Sequence, residues 1–153
     1  MRNDQTWSVA FSPNGRLLVS AGDYETRMWD VRTHRQVGNP IGCSFPIAFG
    51  RDGRLACPPY SSNGINSWTF QFWNPGRDRK VLATIRGPGD GGTAIALSPD
   101  GRVLALSYGY DQLVRLWDTR TDRQIGKPLL AYTENNPSLA FSPNGRILAT
   151  YGT

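Results

Sequence analysis

The heptapeptide Ala-Phe-Ser-Pro-Asn-Gly-Arg stands at Ala10–Arg16 and again at Ala140–Arg146. A seven-letter match within 153 residues means that the chain makes one local structure more than once. Two looser copies lie between: IAFGRDGR at Ile47–Arg54 and IALSPDGR at Ile95–Arg102. The alanines of the four copies, at 10, 48, 96 and 140, step by 38, 48 and 44 residues. A second signal runs in phase. RMWD ends at Asp30, QFWN at Asn74 and RLWD at Asp118, so Trp29, Trp73 and Trp117 are spaced by 44 and 44. A third follows, because WDVRTHRQVGNP from Trp29 matches WDTRTDRQIGKP from Trp117.

Each unit reads as four short antiparallel strands. SVAF and TAIAL are β-rich, and each runs into Ser-Pro-Asn-Gly or Ser-Pro-Asp-Gly. Pro presets φ for a turn and Gly supplies positive φ, so the chain reverses there. RLLVSAG and RVLALSYG return as a second strand, and ETRMWD and LVRLWD alternate as a third. RTHR and RTDR form another polar turn before QVGNPI and QIGKPLL, whose Pro suits an edge strand with no N–H to donate. No segment has a helical period, which makes the fold class all-β.

Four strands per unit of about 40–45 residues, with Trp-Asp closing the third, resemble the WD-repeat family of β-propellers. The resemblance covers nearly the whole chain and implies a single domain, an incomplete and open propeller over 1–153. Blade 1 is Trp7–Ile41, blade 2 Cys43–Arg86, blade 3 Gly92–Leu130, and a half-blade of two strands is Pro137–Thr153. The family's structural residues map to Trp29-Asp30, Trp73-Asn74 and Trp117-Asp118, with Asp23 and Asp111 six residues before their Trp. Ser20 and Ser107 are the matching hydroxyl partners. The family's Gly-His pair is missing, since the single histidine, His34, falls in the turn between strands three and four. Blade 2 departs furthest, with Ser67 for the turn Asp, Gly-Arg for Ser-Pro and an aromatic third strand. There Trp68, Phe70 and Phe72 share one face, which reads as core between blades rather than as a binding strip.

Three and a half blades do not close a ring, since closed propellers take four to eight. Self-association through open blade edges is one outlet, although the N-terminus opens on a first strand and so does not complete the C-terminal half-blade. The chain reads as a piece of a longer propeller of bacterial type, in keeping with 15 Arg against only Lys80 and Lys127. The resemblance allows an origin beside a kinase or ATPase domain.

No catalytic motif is present: there is no H-E-x-x-H, G-x-S-x-G or P-loop. GPGDGG at Gly87–Gly92 lacks the Lys-Ser/Thr of a phosphate cradle and reads as an inter-blade loop. One His and two Cys do not supply a zinc set without carboxylates, and neither a metal nor a cofactor is expected. Asp23, Asp111 and Asp118 read as turn-stabilising residues rather than acid–base groups. Cys43 and Cys57 form no metal or redox spacing and read as free buried thiols in a reducing compartment, with a disulfide as the alternative. The N-terminus has no apolar h-region and no apolar run spans a membrane, so a cytoplasmic location is expected.

By the resemblance, turns one–two and three–four share one face of the disc. They carry Arg16, Arg32, Arg35, Arg54, Arg102, Arg120, Arg123 and Arg146, with Arg51, Arg77, Arg79 and Lys80. Six aspartates oppose these twelve, leaving +6 there within a chain of net charge +5. This basic face offers a site for an acidic protein or, less readily, nucleic acid. Tyr24, Tyr60, Tyr108 and Tyr110 fall in or beside the loops between strands two and three, on the opposite face, as candidate partner-binding residues. The expected function is a non-catalytic scaffold for protein–protein interaction. A propeller enzyme is the remote rival.

Overall fold

The computed structural model describes residues 5–60, 69–75, 81–86, 92–108, 111–131 and 138–152. Among them there is no helix, and fourteen strands form four sheets. The first sheet holds β1 (Thr6–Phe11), β2 (Leu17–Gly22), β3 (Thr26–Asp30) and β4 (Arg35–Gln36). The second holds β5 (Ala48–Phe49), β6 (Leu55–Cys57), β7 (Thr69–Trp73) and β8 (Val81–Arg86). The third holds β9 (Gly92–Leu97), β10 (Val103–Tyr108), β11 (Leu113–Asp118) and β12 (Arg123–Leu130). The last pairs only β13 (Ser138–Phe141) with β14 (Leu148–Tyr151). Every sheet is an antiparallel meander in sequence order.

The repeated heptapeptide makes the turn between the first two strands of a sheet, and its chemistry explains its recurrence. The Ser12 hydroxyl donates to Asn14 Oδ1 at 2.8 Å and accepts the Leu17 N–H at 2.9 Å. Asn14 Oδ1 also accepts the Arg16 N–H, and the Gly15 N–H closes on the Ser12 carbonyl. Gly15 has φ 67°, a conformation that costs any L side chain. The same bonds recur at Ser98–Asp100–Arg102 and at Ser142–Asn144–Arg146. The second sheet has Gly50 where the others have Ser, and a Cβ there would lie 2.7 Å from the side chains of both Leu97 and Asp52.

Strand lengths follow the prolines and glycines. β5 and β6 are short, flanked by Pro46, Pro58 and Pro59, which lack a ladder donor. In the first sheet the ladder stops at Gly38 (φ 63°) and resumes only as a Thr26–Ile41 bridge. In the third sheet Gly126 (φ 66°) lies in a bulge, and β12 runs on through Pro128 on the outer edge.

The sheets stack face to face, and the first strands converge: β1 neighbours β5, β5 neighbours β9, and β9 neighbours β13. Three apolar layers fill the junctions. Val19, Ala21 and Met28 meet Ile47 and Leu55. Ala56, Phe70, Phe72 and Ile85 meet Ile95, Leu97, Leu104, Leu106 and Trp117. Ala94, Ala96, Ala105 and Val114 meet Leu139, with Phe141 and Leu148 beside it. Phe70 and Phe72 are thus core; Trp68 lies outside the described residues.

Cys43 and Cys57 do not stay free. They form a disulfide with a Cα–Cα distance of 5.9 Å, which overturns the expectation of two thiols. A bridge between Cys43 and Pro59 lays residue 43 beside the end of β6, bringing the two cysteines together. The support that free thiols gave to a reducing compartment falls with it.

Candidate functional site

The Trp-Asp pairs end the third strands β3 and β11, with Trp73-Asn74 at the end of β7. Their acids work locally. Asp30 Oδ1 accepts the Thr33 N–H at 2.7 Å and its hydroxyl at 2.8 Å. Asp118 Oδ1 accepts the N–H groups of Thr121 (2.8 Å) and Arg120 (2.9 Å). Those bonds favour the ionised carboxylate and hold both groups below the usual Asp range, the Thr33 N–H acting most on Asp30 and the Thr121 N–H most on Asp118. Asp100 is lowered in the same way, first by the Ser98 hydroxyl and then by the Arg102 N–H. Asp111 accepts the Leu113 N–H at 3.0 Å and pairs with Arg115 at 2.6 Å. Asp23 sits in the bend between β2 and β3.

The tryptophans divide. Trp29 Nε1 donates to Ser20 Oγ at 3.0 Å, the partner expected from sequence. Trp73 and Trp117 have buried Nε1 groups with no acceptor. Register gives the reason. Ser20 lies two residues beyond Leu18, which faces Trp29. Two beyond Leu104, which faces Trp117, stands Leu106; two beyond Leu55, which faces Trp73, stands Cys57. Ser107 is therefore one residue out of place and on the other side of β10. Ser67 is outside the described residues.

On the side of the loops between second and third strands, Tyr24 and Tyr60 meet. Their rings lie 5.4 Å apart at 78°, an edge-to-face pair joining the first two sheets, and both remain exposed. The Tyr60 N–H is anchored on the Gly42 carbonyl. Tyr108 ends β10, with its side chain outside the described set, as is Tyr110 altogether.

Arg16, Arg32, Arg35, Arg102, Arg120, Arg123 and Arg146 are exposed at the turns. Arg54 differs: it pairs with Asp52, lies 5.4 Å from the Phe72 ring and donates to the Gly101 carbonyl in the next sheet at 2.9 Å. The sequence treated it as one more free cation. Arg51 lines a cleft of about 430 Å³ with Ser98, Pro99, Asp100 and the Pro143–Gly145 turn. Arg77, Arg79 and Lys80, and Gly87–Gly91 of the glycine-rich loop, are outside the described residues. Among the described residues no three His, Cys, Asp or Glu side chains gather as a metal group would require, and no helix is long and apolar enough to cross a membrane.

The family model described as WD domain, G-beta repeat, matches residues 3–30 and 79–118. A chain of the crystal structure of the mitotic checkpoint complex superposes with a TM-score of 0.73 at 20% sequence identity. The fold is that of WD-repeat propeller blades. The match covers 99% of this chain but only 45% of that one, so this chain spans less than half the length of its structural relative. The three four-stranded sheets and the β13–β14 pair are antiparallel sheets of that fold, and no ring is closed among the described residues.

Proposed function

We propose that this chain is a non-catalytic scaffold that presents the loops between second and third blade strands to a protein partner. The observation that carries this is the Tyr24–Tyr60 pair. Two rigid amphipathic rings, one from each of two adjacent blades, offer apolar edges and hydroxyls at a junction where the fold fixes their spacing. The likeness to a chain solved within a multiprotein complex supports a protein ligand. The opposite face suits a polyanion less well, because Asp30, Asp100 and Asp118 are held ionised among its arginines and Arg54 is already engaged.

The test places a photo-crosslinking residue at Tyr60 in cells that express the chain. The expected result is a discrete protein adduct that disappears with Tyr24→Ala and survives Arg32→Ala with Arg35→Ala. An adduct pattern indifferent to Tyr24, or one lost only with the arginines, rules out the tyrosine surface.

A further inference from the structure

The bends between second and third strands use their carboxylates differently. Asp111 and Arg115 stand six and two residues before Trp117 and pair at 2.6 Å. Asp111 also accepts the Leu113 N–H at 3.0 Å. Asp23 and Arg27 hold the same places before Trp29. There Arg27 pairs with Glu25 instead, and the Gly22 N–H closes the bend on the Glu25 carbonyl at 3.1 Å. Asp23 is left half-buried and makes no hydrogen bond or ion pair among the described residues.

Tyr24 follows Asp23 in the bend and meets Tyr60, from the segment after β6, ring to ring at 5.4 Å and 78°. The rings stand nearly at right angles, and 39% of Tyr24 and 36% of Tyr60 stay exposed. Each ring face carries the negative side of the aromatic quadrupole, so the corner between them attracts a cation. Residues 37–50 and 55–60, which brace and carry Tyr60, hold no charged side chain. With Glu25 and Arg27 paired to each other, Asp23 sets the charge of the corner. The Cys43–Cys57 disulfide, the Cys43–Pro59 bridge and the bond from the Tyr60 N–H to the Gly42 carbonyl fix Tyr60 in advance, which lowers the ordering cost of binding. The first two sheets and the segments joining them supply every residue of the corner, so it needs no further repeat.

We infer that Asp23, Tyr24 and Tyr60 receive an arginine side chain of the protein partner, an assignment that rests on the scaffold reading. Consecutive Cα atoms lie about 3.8 Å apart, close enough for one arginine to engage the Asp23 carboxylate and the Tyr24 ring together. Its planar fork pairs with the carboxylate while its face stacks on the ring, a combination that a lysine ammonium does not offer. The chain already builds this trio within itself, where Arg54 pairs with Asp52 and lies 5.4 Å from the Phe72 ring. At Asp111 the arginine comes from the adjoining strand; at Asp23 the partner supplies it. The whole chain carries +5, so the attraction is local to the corner and not a property of net charge.

The test titrates the 153-residue chain with the blocked peptide acetyl-Gly-Arg-Gly-amide and follows assigned tyrosine ring signals by NMR. The Tyr24 and Tyr60 signals should move, and the arginine methylene signals of the peptide should shift upfield under a ring. The peptide with glutamine for arginine should do neither. Asp23→Asn keeps the shape of a side chain that makes no bond in the fold, and it should weaken binding about fivefold. Asp122→Asn, the same charge change at an exposed turn of the third sheet, should leave binding unchanged. Arginine and glutamine peptides that bind alike overturn the proposal. So does equal binding by wild type and Asp23→Asn, or ring signals that stay still up to the solubility limit of the peptide. The Tyr60 crosslink separates this from the scaffold reading: an adduct that needs Tyr24 but withstands Asp23→Asn upholds the scaffold and overturns the arginine site.

Discussion

The guanidinium of Arg54 and the carbonyl of Gly101 are joined across the junction of blades 2 and 3, Nη2 to oxygen, at 2.9 Å. The same carbonyl accepts the Thr119 hydroxyl at 2.7 Å, and Asp52 holds the arginine from behind. A residue that composition counts as surface charge is therefore a tie between blades. Hydrogen bonds to charged groups contribute about 1.5–3 kcal/mol, and partial exposure places this one at the low end. Arg54→Ala should lower the urea unfolding free energy by about 1–2 kcal/mol, and Arg54→Lys should recover little because it lacks the planar fork. Arg102→Ala, at an exposed turn, should stay within about 0.5 kcal/mol of wild type.

Gly101 and Gly15 have nearly the same backbone, φ 70° and 67°. An added Cβ meets nothing within 4 Å at Gly15 but lies 2.7 Å from Asp52 Oδ2 at Gly101. Both Gly→Ala changes incur the left-handed penalty of about 1–2 kcal/mol. Gly101→Ala must also displace Asp52 from Arg54, so its melting temperature should fall clearly further than that of Gly15→Ala.

Ser20→Ala should cost about 1 kcal/mol by stranding Trp29 Nε1. Trp29 fluorescence should shift with it. Trp73 and Trp117 already lack an acceptor, so their environment should not respond.

The lowered carboxyls of Asp30, Asp100 and Asp118 set a pH dependence. A folded pKa below the unfolded value means that the unfolded chain takes up protons first as pH falls. The stabilisation is complete above about pH 5, well over the unfolded Asp value near 3.9, and is lost as pH drops through the folded values. Asp100→Asn should remove part of that acid slope while keeping the turn, because Asn14 and Asn144 make the same bonds. Chemical denaturation at a series of pH values reads this directly.

Reducing the Cys43–Cys57 bridge, which spans 14 residues, should destabilise the chain by about 3 kcal/mol. Thiol titration in denaturant before and after reductant should move from none to two. Two reactive thiols in the untreated protein would sink the pairing.

The turns were the most legible part of the sequence, because Ser-Pro-Asn-Gly specifies its own hydrogen bonds within six residues. Junctions were less so. Ser107 resembles Ser20 in the linear sequence, but fifteen residues separate Arg102 from Trp117 and only thirteen separate Arg16 from Trp29. Only the ladder shows that Leu106 takes the serine's place. Arg54 and Cys57 are illegible for a related reason: their partners are long-range, at Gly101 and Cys43, and a linear pattern holds no trace of them. Tyr24 and Tyr60 are recognisable in the sequence as loop residues, yet their ring contact depends on the stacking of two sheets.

On the earlier sheet of each of the last two junctions, small side chains sit on the first two strands and larger ones further out, from Ala48 and Ala56 to Phe70 and Phe72, and from Ala96 and Ala105 to Val114. Each junction is thus a wedge, narrow at the axis and broad at the rim. Its taper sets how many degrees the chain turns per repeat, much as cut stones set the span of an arch. That turn is set at three cross-strand pairs, Ala10–Val19, Ala48–Ala56 and Ala96–Ala105, and widening Ala96 or Ala105 by a few methylenes would change the curvature before it changed the fold.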